Sequence, residues 1–295
     1  MNKLPLLSVC IRSYCQEKFI KKALDSVLAQ QTSFPFEIIV SDDCSTDDTR
    51  HILQEYEQQF PQIIRLILGD VNVGGPNNLR RVIEASSAKY VTCLDGDDYY
   101  LCRDKLQKQV DFLESHFEYS ACFHNTLNVS ADGVSLGNFN PTDFHAIHGA
   151  QEFIRENWFV PIHSAVIRRE YIEFPDWYDR VMNDDYVVHL MVVRHGAYYY
   201  MPDVMAAYRH HNDEISLAYK NKILINTQLR KILTFAKPMY PDEYAEDFDW
   251  RIAELDGEIK EEMQLSHPIR KWFNHKTYTR ALRKWSSCKF YQKKE

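Results

Sequence analysis

Several features that would place this 295-residue chain in a familiar class are missing from its sequence. No apolar run reaches the roughly 18 to 20 residues of a membrane-spanning helix, and residues 1–7 lack the layout of a signal peptide. The seven cysteines are odd in number and none forms a Cys-x-x-Cys pair, which indicates reduced thiols rather than a disulfide framework or a zinc site. The net charge of -7 lacks the basic excess that nucleic-acid binding requires. We therefore expect a chain that stays in the cytoplasm and binds no nucleic acid.

The chain does contain enough apolar material for a full core. Hydrophobic residues make up 45% of it, which suits one large α/β domain or one domain with an appendage. Apolar runs predict buried strands at residues 6–11, 36–40 and 63–68. Amphipathic stretches predict helices at residues 17–31, 45–56 and 79–87, the second opened by a capping box of Ser45 and Asp48. Strands that alternate with helices of this length indicate right-handed β-α-β units in a doubly wound sheet.

Three carboxylates follow directly on a fourth predicted strand, at residues 90–94. Asp95, Asp97 and Asp98 would crowd at the carboxyl edge of the sheet, where open α/β sheets bind ligands. Like charges this close repel one another unless a cation lies among them, and a hard divalent ion with oxygen ligands is the usual one. The alternative is a solvated turn in which Gly96 supplies the bend.

The order of the polar motifs resembles that of family 2 glycosyltransferases with the GT-A fold. The resemblance rests on residues 8–14 (SVCIRSY), 37–47 (EIIVSDDCSTD), 72–78 (NVGGPNN), 94–98 (LDGDD), 183–186 (NDDY) and 208–216 (YRHHNDEIS). The chain departs from the common pattern at Arg12 and Cys15, where Pro and Asn are usual, and at Asp184, where Glu is usual. The resemblance implies an α/β fold with a Rossmann-like, mostly parallel sheet flanked by helices and followed by a helical C-terminal extension.

The resemblance also implies which side chains hold a nucleotide-sugar donor and its metal ion. The residues expected at the donor nucleotide are Ser13, Tyr14, Asp42, Asp43, Asn78, Asp95 and Arg209. Those expected at a Mn2+ or Mg2+ ion are Asp97, Asp98 and His211. An ion held by carboxylates would neutralise the leaving diphosphate. Taken from the residues alone, Asp42 and Asp43 also fit a turn followed by a helix cap, and His211 also fits an ordinary surface histidine.

An acceptor hydroxyl is a poor nucleophile at neutral pH, so sugar transfer also needs a base. We expect Asp185 in this role with Asp184 beside it, because adjacent carboxylates can split their pKa values. Both precede an apolar run at residues 186–193 that predicts a buried helix or strand. The alternative is that both carboxylates only favour a helix N-terminus through its dipole.

Together these residues predict a metal-dependent, inverting glycosyltransferase of the hexosyltransferase type. Family precedent favours a UDP-linked donor and a glycan or lipid-linked acceptor, in the synthesis of a bacterial surface polysaccharide. A nucleotidyltransferase of sugar phosphates is one alternative, although no glycine-rich phosphate loop with a lysine lies near the first strand. A non-catalytic nucleotide- or carbohydrate-binding protein is the other.

Residues 125–149 are poorly periodic and predict a loop that lines the acceptor cleft. The spacing of His124, His145 and His148 makes no recognisable metal set. The loop falls in the acceptor half of a glycosyltransferase domain expected at residues 1–220, whose donor half covers about 1–100 and whose acceptor half covers about 101–220.

Residues 221–295 are expected to form the C-terminal extension. Amphipathic helices are predicted at 223–237 and 244–263, the second rich in acidic residues. Residues 268–295 are basic and interleaved with aromatics, a composition that suits an anionic membrane surface such as the inner face of the plasma membrane. The same tail also suits docking on the chain's own acidic helix or on the second subunit of a homodimer.

Overall fold

The structure is a computed structural model that describes residues 4–156, 159–211 and 221–269. The strands in this part of the chain are Leu7–Ser13 (β1), Phe36–Asp42 (β2), Ile64–Leu68 (β3), Tyr90–Asp95 (β4), Tyr99–Tyr100 (β5), Ala121–Ser130 (β6), Ser135–Asn138 (β7), Ile147–His148 (β8), Val166–Arg168 (β9) and Tyr198–His210 (β10). The α-helices are Ile20–Leu28 (α1), Thr49–Gln59 (α2), Gly75–Glu84 (α3), Lys105–Ser115 (α4), Ala150–Arg155 (α5), Asp184–Val193 (α6), Lys222–Ala236 (α7) and Ala245–Ile269 (α8). The predicted alternation of strand and helix in the first third of the chain is present.

All of these strands belong to one mixed sheet, ordered β3-β2-β1-β4-β9-β6-β10-β5, with β7 beside β6 and β8 beside β10. The strands β1 to β4 are mutually parallel, and β6 is parallel to β10. The short strand β9 joins these two parallel parts by pairing antiparallel with both β4 and β6. The predicted α/β class with a mostly parallel sheet is confirmed.

Helices cover both faces of the sheet, and each face has its own core. Alternation along β1 sends Val9 and Ile11 to the face covered by α1, α2 and α4, and Cys10 to the face covered by α3, α5 and α6. The helices α7 and α8 pack on this second face, where Leu233 and Phe248 are fully or almost fully buried in the same cluster. The predicted helical C-terminal extension is therefore present and shares a core with the sheet.

Two predicted helix starts are wrong, and the polar residues at the end of β2 give the reason. Ser45 was expected to cap α2, but its Oγ turns back to the carboxylate of Asp42 and the helix begins later, at Thr49. The third helix was expected to begin at residue 79, but α3 begins earlier, at Gly75. Pro76 lies in the first turn of α3, where the N–H that it lacks would have no partner within the helix.

The loop predicted at residues 125–149 is also partly wrong. Strand β6 continues to Ser130, and β7 pairs back onto it. Asn125 explains why polar residues can enter a buried strand. Its side chain accepts from the backbone N–H groups of Thr126 and Asn140 and donates to the carbonyl of Asn140, so its polar atoms are satisfied without water.

Some predictions fall outside the described residues. The basic tail after Ile269 and the segment that contains Ser216 belong to this group. Among the described residues, all six cysteines are unpaired, as expected for reduced thiols. No helix in the described ranges is long and apolar enough to cross a membrane.

Candidate active site

The carboxyl ends of β1 and β4 bring Arg12 and Asp95 together. The two residues are register partners on neighbouring parallel strands, so their side chains leave the sheet at the same edge. Arg12 donates to Asp95 from both Nε and Nη2, the second at 3.1 Å. A two-pronged contact of this kind fixes the carboxylate plane as well as its charge.

The same guanidinium also reaches the start of α6. Arg12 donates from Nη1 to Oδ2 of Asp184, which is 4% exposed. Burial raises the pKa of Asp184, and the charge of Arg12 opposes that rise. The other oxygen of Asp184 accepts the backbone N–H of Asp185 at 3.0 Å, and Asp185 Oδ1 accepts that of Tyr186 at 2.8 Å. The predicted acidic pair therefore opens a buried helix and is tied to Asp95 through Arg12.

The loop after β4 places Asp97 against the end of β10. Asp97 Oδ2 lies 2.9 Å from His211 Nε2, and both side chains are mostly buried. One ligand atom from each of Asp95, Asp97 and Asp98 lies within 4.8 Å of the others. Gly96 permits the tight path, because a Cβ there would lie 2.3 Å from Gln16 Oε1. Sequence reasoning predicted all of these carboxylates at one edge, and the structure places them there with His211.

Asp98 points into the protein rather than along the surface. Its Oδ1 accepts the backbone N–H of Arg209 at 2.8 Å, and its Oδ2 lies 3.0 Å from Nδ1 of the buried His163. Burial raises the pKa of Asp98 to about 6, and His163 opposes the rise.

Arg209, predicted to meet the donor phosphates, is only 4% exposed. It donates from Nε to the carbonyl of Asp97 at 2.8 Å and from Nη1 to that of Ala131 at 2.6 Å. Its guanidinium carbon lies 4.9 Å from the ring centroid of Phe19 and 5.1 Å from that of Tyr99. In this arrangement Arg209 holds the Asp97 loop, and a phosphate contact would fall to its remaining nitrogen, Nη2.

Asp42 and Asn78 are two of the residues predicted at the donor nucleotide. Asp42 is the last residue of β2, and Asn78 lies in the first turn of α3. Asp42 accepts from Ser45 and, at 2.6 Å, from Arg50 Nε. Asn78 Oδ1 accepts from Ser41 Oγ at 2.6 Å, and its amide donates to the Ser41 carbonyl. The contacts of Asn78 join α3 to β2, and the contact with Arg50 joins α2 to β2. Asp42 and Asn78 therefore also have structural roles.

Asp43 anchors the turn into α3. It accepts the backbone N–H groups of Val73 and Gly74 at 2.9 and 2.8 Å and an N–H of Arg81 at 2.9 Å. Burial raises the pKa of Asp43, and these three donors oppose the rise. The carboxylate therefore orders residues that precede α3.

The two remaining predicted donor residues are Ser13, the last residue of β1, and Tyr14, which follows it. Ser13 is buried, and its hydroxyl has no hydrogen-bond partner among the described residues. Tyr14 follows it with 48% of its surface exposed, which leaves the ring accessible to a ligand. Cys15 has a φ of 53°, in the left-handed region where asparagine is enriched. The asparagine that is usual at this position in the resembled family suits that backbone.

Sequence reasoning gave two residues of this site too little weight. His163 comes from a short 3-10 helix, and its partner Asp98 is remote in the chain, so no local pattern marks it. Asn183 precedes α6 as its N-cap, and both polar atoms of its buried side chain lack a hydrogen-bond partner among the described residues. Its place beside Asp184 in the NDDY motif was the one available signal.

Comparison with known proteins agrees with this geometry. The family model described as Glycosyl transferase family 2 matches residues 8–173. An uncharacterized protein of Mycobacterium tuberculosis is 36% identical over 205 residues, which cover 70% of this chain and 59% of that protein. The chain thus matches less than two thirds of the length of this relative. A Bacillus subtilis protein, TuaG, is named as a teichuronic acid biosynthesis glycosyltransferase and is 32% identical over 226 residues, which cover 73% of this chain and 83% of TuaG.

A solved structure shows the same fold. Residues 1–349 of Staphylococcus aureus TarS in complex with UDP-GlcNAc superpose with a TM-score of 0.64 and 20% sequence identity. The superposition covers 84% of this chain and 71% of that one. At this level of identity the likeness concerns the arrangement of helices and strands.

Proposed function

The chain belongs to glycosyl transferase family 2, and we propose that it moves a sugar from a nucleotide diphosphate donor to a hydroxyl of a glycan or lipid-linked acceptor. The observation that carries the proposal is the link between two acidic groups through one guanidinium. Arg12 joins Asp95, at the predicted donor cluster, to Asp184, at the predicted base. A donor site and a base must face one reacting carbon, and this contact holds both at one edge of the sheet.

The donor set at Asp97 fits a divalent ion such as Mn2+ or Mg2+. Carboxylate oxygens converge there, and His211 Nε2 approaches from β10, a mixture of oxygen and imidazole ligands that suits Mn2+. We propose Asp97, Asp98 and His211 as its protein ligands. When bound, the ion supplies positive charge that stabilises the leaving diphosphate.

The nucleotide would lie over the ends of β1 and β2. Tyr14 offers an exposed ring for stacking, and the buried hydroxyl of Ser13 can pair with a ligand. Asp42, Asp43 and Asn78 would lie beneath the nucleotide. Asp95, which Arg12 holds in place, would face the ribose or the ion. We propose UDP as the nucleotide. The support is that the solved structure of TarS with the same fold holds UDP-GlcNAc.

We propose that Asp185 accepts the proton of the acceptor hydroxyl. We assign Asp184 a positioning role, since its two oxygens accept from Arg12 and from the backbone N–H of Asp185. As the acceptor oxygen bonds to the anomeric carbon, the bond from that carbon to the diphosphate breaks and the proton passes to the Asp185 carboxylate. Attack from the face opposite the diphosphate inverts the configuration at that carbon.

The class of product follows from the relatives by name. TuaG is named for teichuronic acid biosynthesis, and TarS is named as a poly(ribitol-phosphate) β-N-acetylglucosaminyltransferase. We therefore propose a bacterial surface polysaccharide as the product to which this chain contributes a hexose-type sugar.

The experiment that tests the proposal is a ligand screen followed by product analysis. UDP, GDP, CDP and dTDP are compared for thermal stabilisation with and without Mn2+, since a ligand at 100 times its Kd stabilises by about 2.7 kcal/mol. The matching nucleotide sugars are then incubated with the enzyme. Release of the nucleoside diphosphate supports sugar transfer. Pyrophosphate formation from a sugar phosphate and a nucleoside triphosphate would instead identify a nucleotidyltransferase, and binding without turnover would identify a binding protein.

A further inference from the structure

A second cluster of metal-ligating side chains lies away from the donor site, where the 141–149 segment meets α5. His145, His148 and Glu152 each place one ligand atom within 4.8 Å of the others. His145 Nε2 contacts Glu152 Oε1, and His148 Nδ1 lies 3.5 Å from Glu152 Oε2. The spacing of the histidines alone did not indicate this cluster, because its carboxylate comes from α5.

The hydrogen bonding of His148 leaves a lone pair that faces this cluster. Its Nε2 lies 2.8 Å from the backbone carbonyl oxygen of His145. A carbonyl oxygen can only accept, so Nε2 carries the proton. With the proton on Nε2, Nδ1 is the ring nitrogen that carries the lone pair. Although His148 is fully buried, Nδ1 has no hydrogen-bond partner among the described residues.

Nδ1 of the buried His148 and the carboxylate of the partly exposed Glu152 thus present lone pairs to each other. A cation between them would remove that conflict. A histidine ligand in metalloproteins commonly donates its other N–H to a carbonyl or carboxylate, which fixes its tautomer, and His148 already has this arrangement.

The backbone holds the cluster from both sides. Strand β8 pairs His148 with Tyr198 at the start of β10. On the other side, Glu152 Oε2 accepts the N–H of Gly149 at 3.0 Å. These contacts hold His148 and Glu152 in place in the absence of an ion. Ion binding therefore costs little further conformational entropy.

We propose that His145, His148 and Glu152 form a binding site for Zn2+ or a similar first-row divalent ion. Two imidazole nitrogens and one carboxylate are ligands that Zn2+ takes in sites that keep a fourth position for water. The His145 side chain is 55% exposed, which gives the ion a path from solvent. The bound ion joins the 141–149 segment to α5.

This zinc site is separate from the carboxylates proposed for the donor. His148 pairs with the first residue of β10, whereas His211 follows the last one and contacts Asp97. A strand rises about 3.3 Å per residue, so the length of β10 separates the two clusters by on the order of 30 Å. Each site can therefore be removed while the other is kept.

The test is a Co2+ titration of the full, tag-free and metal-stripped chain, followed by visible absorption, with Zn2+ as competitor. Asp97→Asn removes one proposed ligand of the donor ion, so we expect it to retain the Co2+ held by this cluster and to release it to Zn2+, as the wild type does, and we expect Zn2+ to raise the unfolding temperature of both. His145→Ala removes a largely exposed side chain and so spares the fold. We expect it to weaken Co2+ binding by more than about 100-fold, because loss of an outer partner alone typically costs 10- to 100-fold.

Glu152→Gln serves as the second variant. It keeps an oxygen for the N–H of Gly149 but removes the charge that the ion needs, so we expect a folded chain that no longer retains Co2+. The proposal is wrong if the wild type binds no ion, if both variants bind Co2+ as tightly as the wild type, or if Asp97→Asn abolishes all binding. In each of those cases the three side chains form an ion-pair cluster only.

Discussion

Arg12 donates from Nη1 to Oδ2 of Asp184, a residue 172 positions away in the chain. Arg12 is the penultimate residue of the inner strand β1, and Asp184 opens the buried helix α6. The contact therefore fixes the distance between the two sides of the proposed reaction centre. The guanidinium also offsets part of the cost of burying the carboxylate of Asp184.

We predict that Arg12→Lys lowers turnover about 10- to 100-fold, because a lysine cannot contact Asp95 and Asp184 together in a planar fork. Burial raises the pKa of Asp184 and Arg12 opposes that rise, so in Arg12→Gln the Asp184 carboxylate, which positions the proposed base Asp185, should protonate at higher pH and shift the acidic limb of the pH–rate profile to higher pH. The measurement is release of UDP from the donor between pH 5 and 9. Arg80→Lys, on the exposed face of α3, is the matched control. A profile of unchanged shape in Arg12→Gln would contradict the positioning role.

A second prediction concerns the metal ion. Asp97→Asn should abolish the increase in UDP affinity that Mn2+ produces and leave the metal-free affinity unchanged, because Asp97 pairs with His211 at the surface of the site. Titration calorimetry with and without Mn2+ measures this difference, and Asp104→Asn on the exposed side of α4 is the control. Equal Mn2+ dependence in Asp97→Asn and wild type would remove Asp97 from the ligand set.

The neighbouring Asp98 should respond differently. It lies 1% exposed against the backbone of Arg209 and the ring of His163, so Asp98→Ala leaves buried polar groups unpaired. We expect a loss of about 1–3 kcal/mol in the free energy of unfolding, measured by urea denaturation, in addition to any loss of metal binding. A variant as stable as wild type would show that these contacts contribute little.

A pH-dependent prediction follows from Lys105, the first residue of α4. It is fully buried and donates to Gln109 Oε1 at 2.8 Å, and burial lowers its pKa to about 7. Below pH 7 the lysine is charged in both folded and unfolded chains, so the full cost of burying the charge is present. Between pH 7 and the ordinary lysine pKa the unfolded chain binds the extra proton, and that cost declines as pH rises.

Lys105→Met should therefore stabilise the protein by on the order of 1–3 kcal/mol at pH 6 and by less at pH 9. Urea denaturation at both pH values measures the difference. Lys108→Met, on the exposed side of the same helix, should show little change at either. If Lys105→Met raised the free energy of unfolding equally at both pH values, the cost of burying the charge of Lys105 would not be the cause of the stabilisation.

The part of the fold that the sequence revealed is the part made by local patterns. The strands β1 to β4 are apolar runs that end in polar residues, and parallel pairing then brings Asp42 and Asp95 to one edge without further information. The start of α3 was not visible in this way. It depends on hydrogen bonds from Val73 and Gly74 to Asp43, which follows β2 and is remote from α3 in the chain.

The remaining misses have the same physical origin. Asn125 looks like a loop residue, yet Asn140 and the backbone satisfy it inside a sheet. His163 acquires its role from Asp98, which is remote in the chain, so no sequence interval connects the two. Charges that meet through tertiary contact therefore escape local patterns, while charges that follow a strand do not.

The most direct test of the account is the rate of UDP release from UDP-sugars in Mn2+ with water as acceptor, measured for Asp185→Asn beside wild type and Asp184→Asn. The amide introduced by Asp185→Asn keeps the shape of the side chain but cannot take a proton, and general-base catalysis typically contributes about 100- to 10,000-fold. We predict a fall of that size in kcat with the affinity for UDP and Mn2+ unchanged, and a milder effect for Asp184→Asn. A rate near that of wild type in Asp185→Asn would contradict the account.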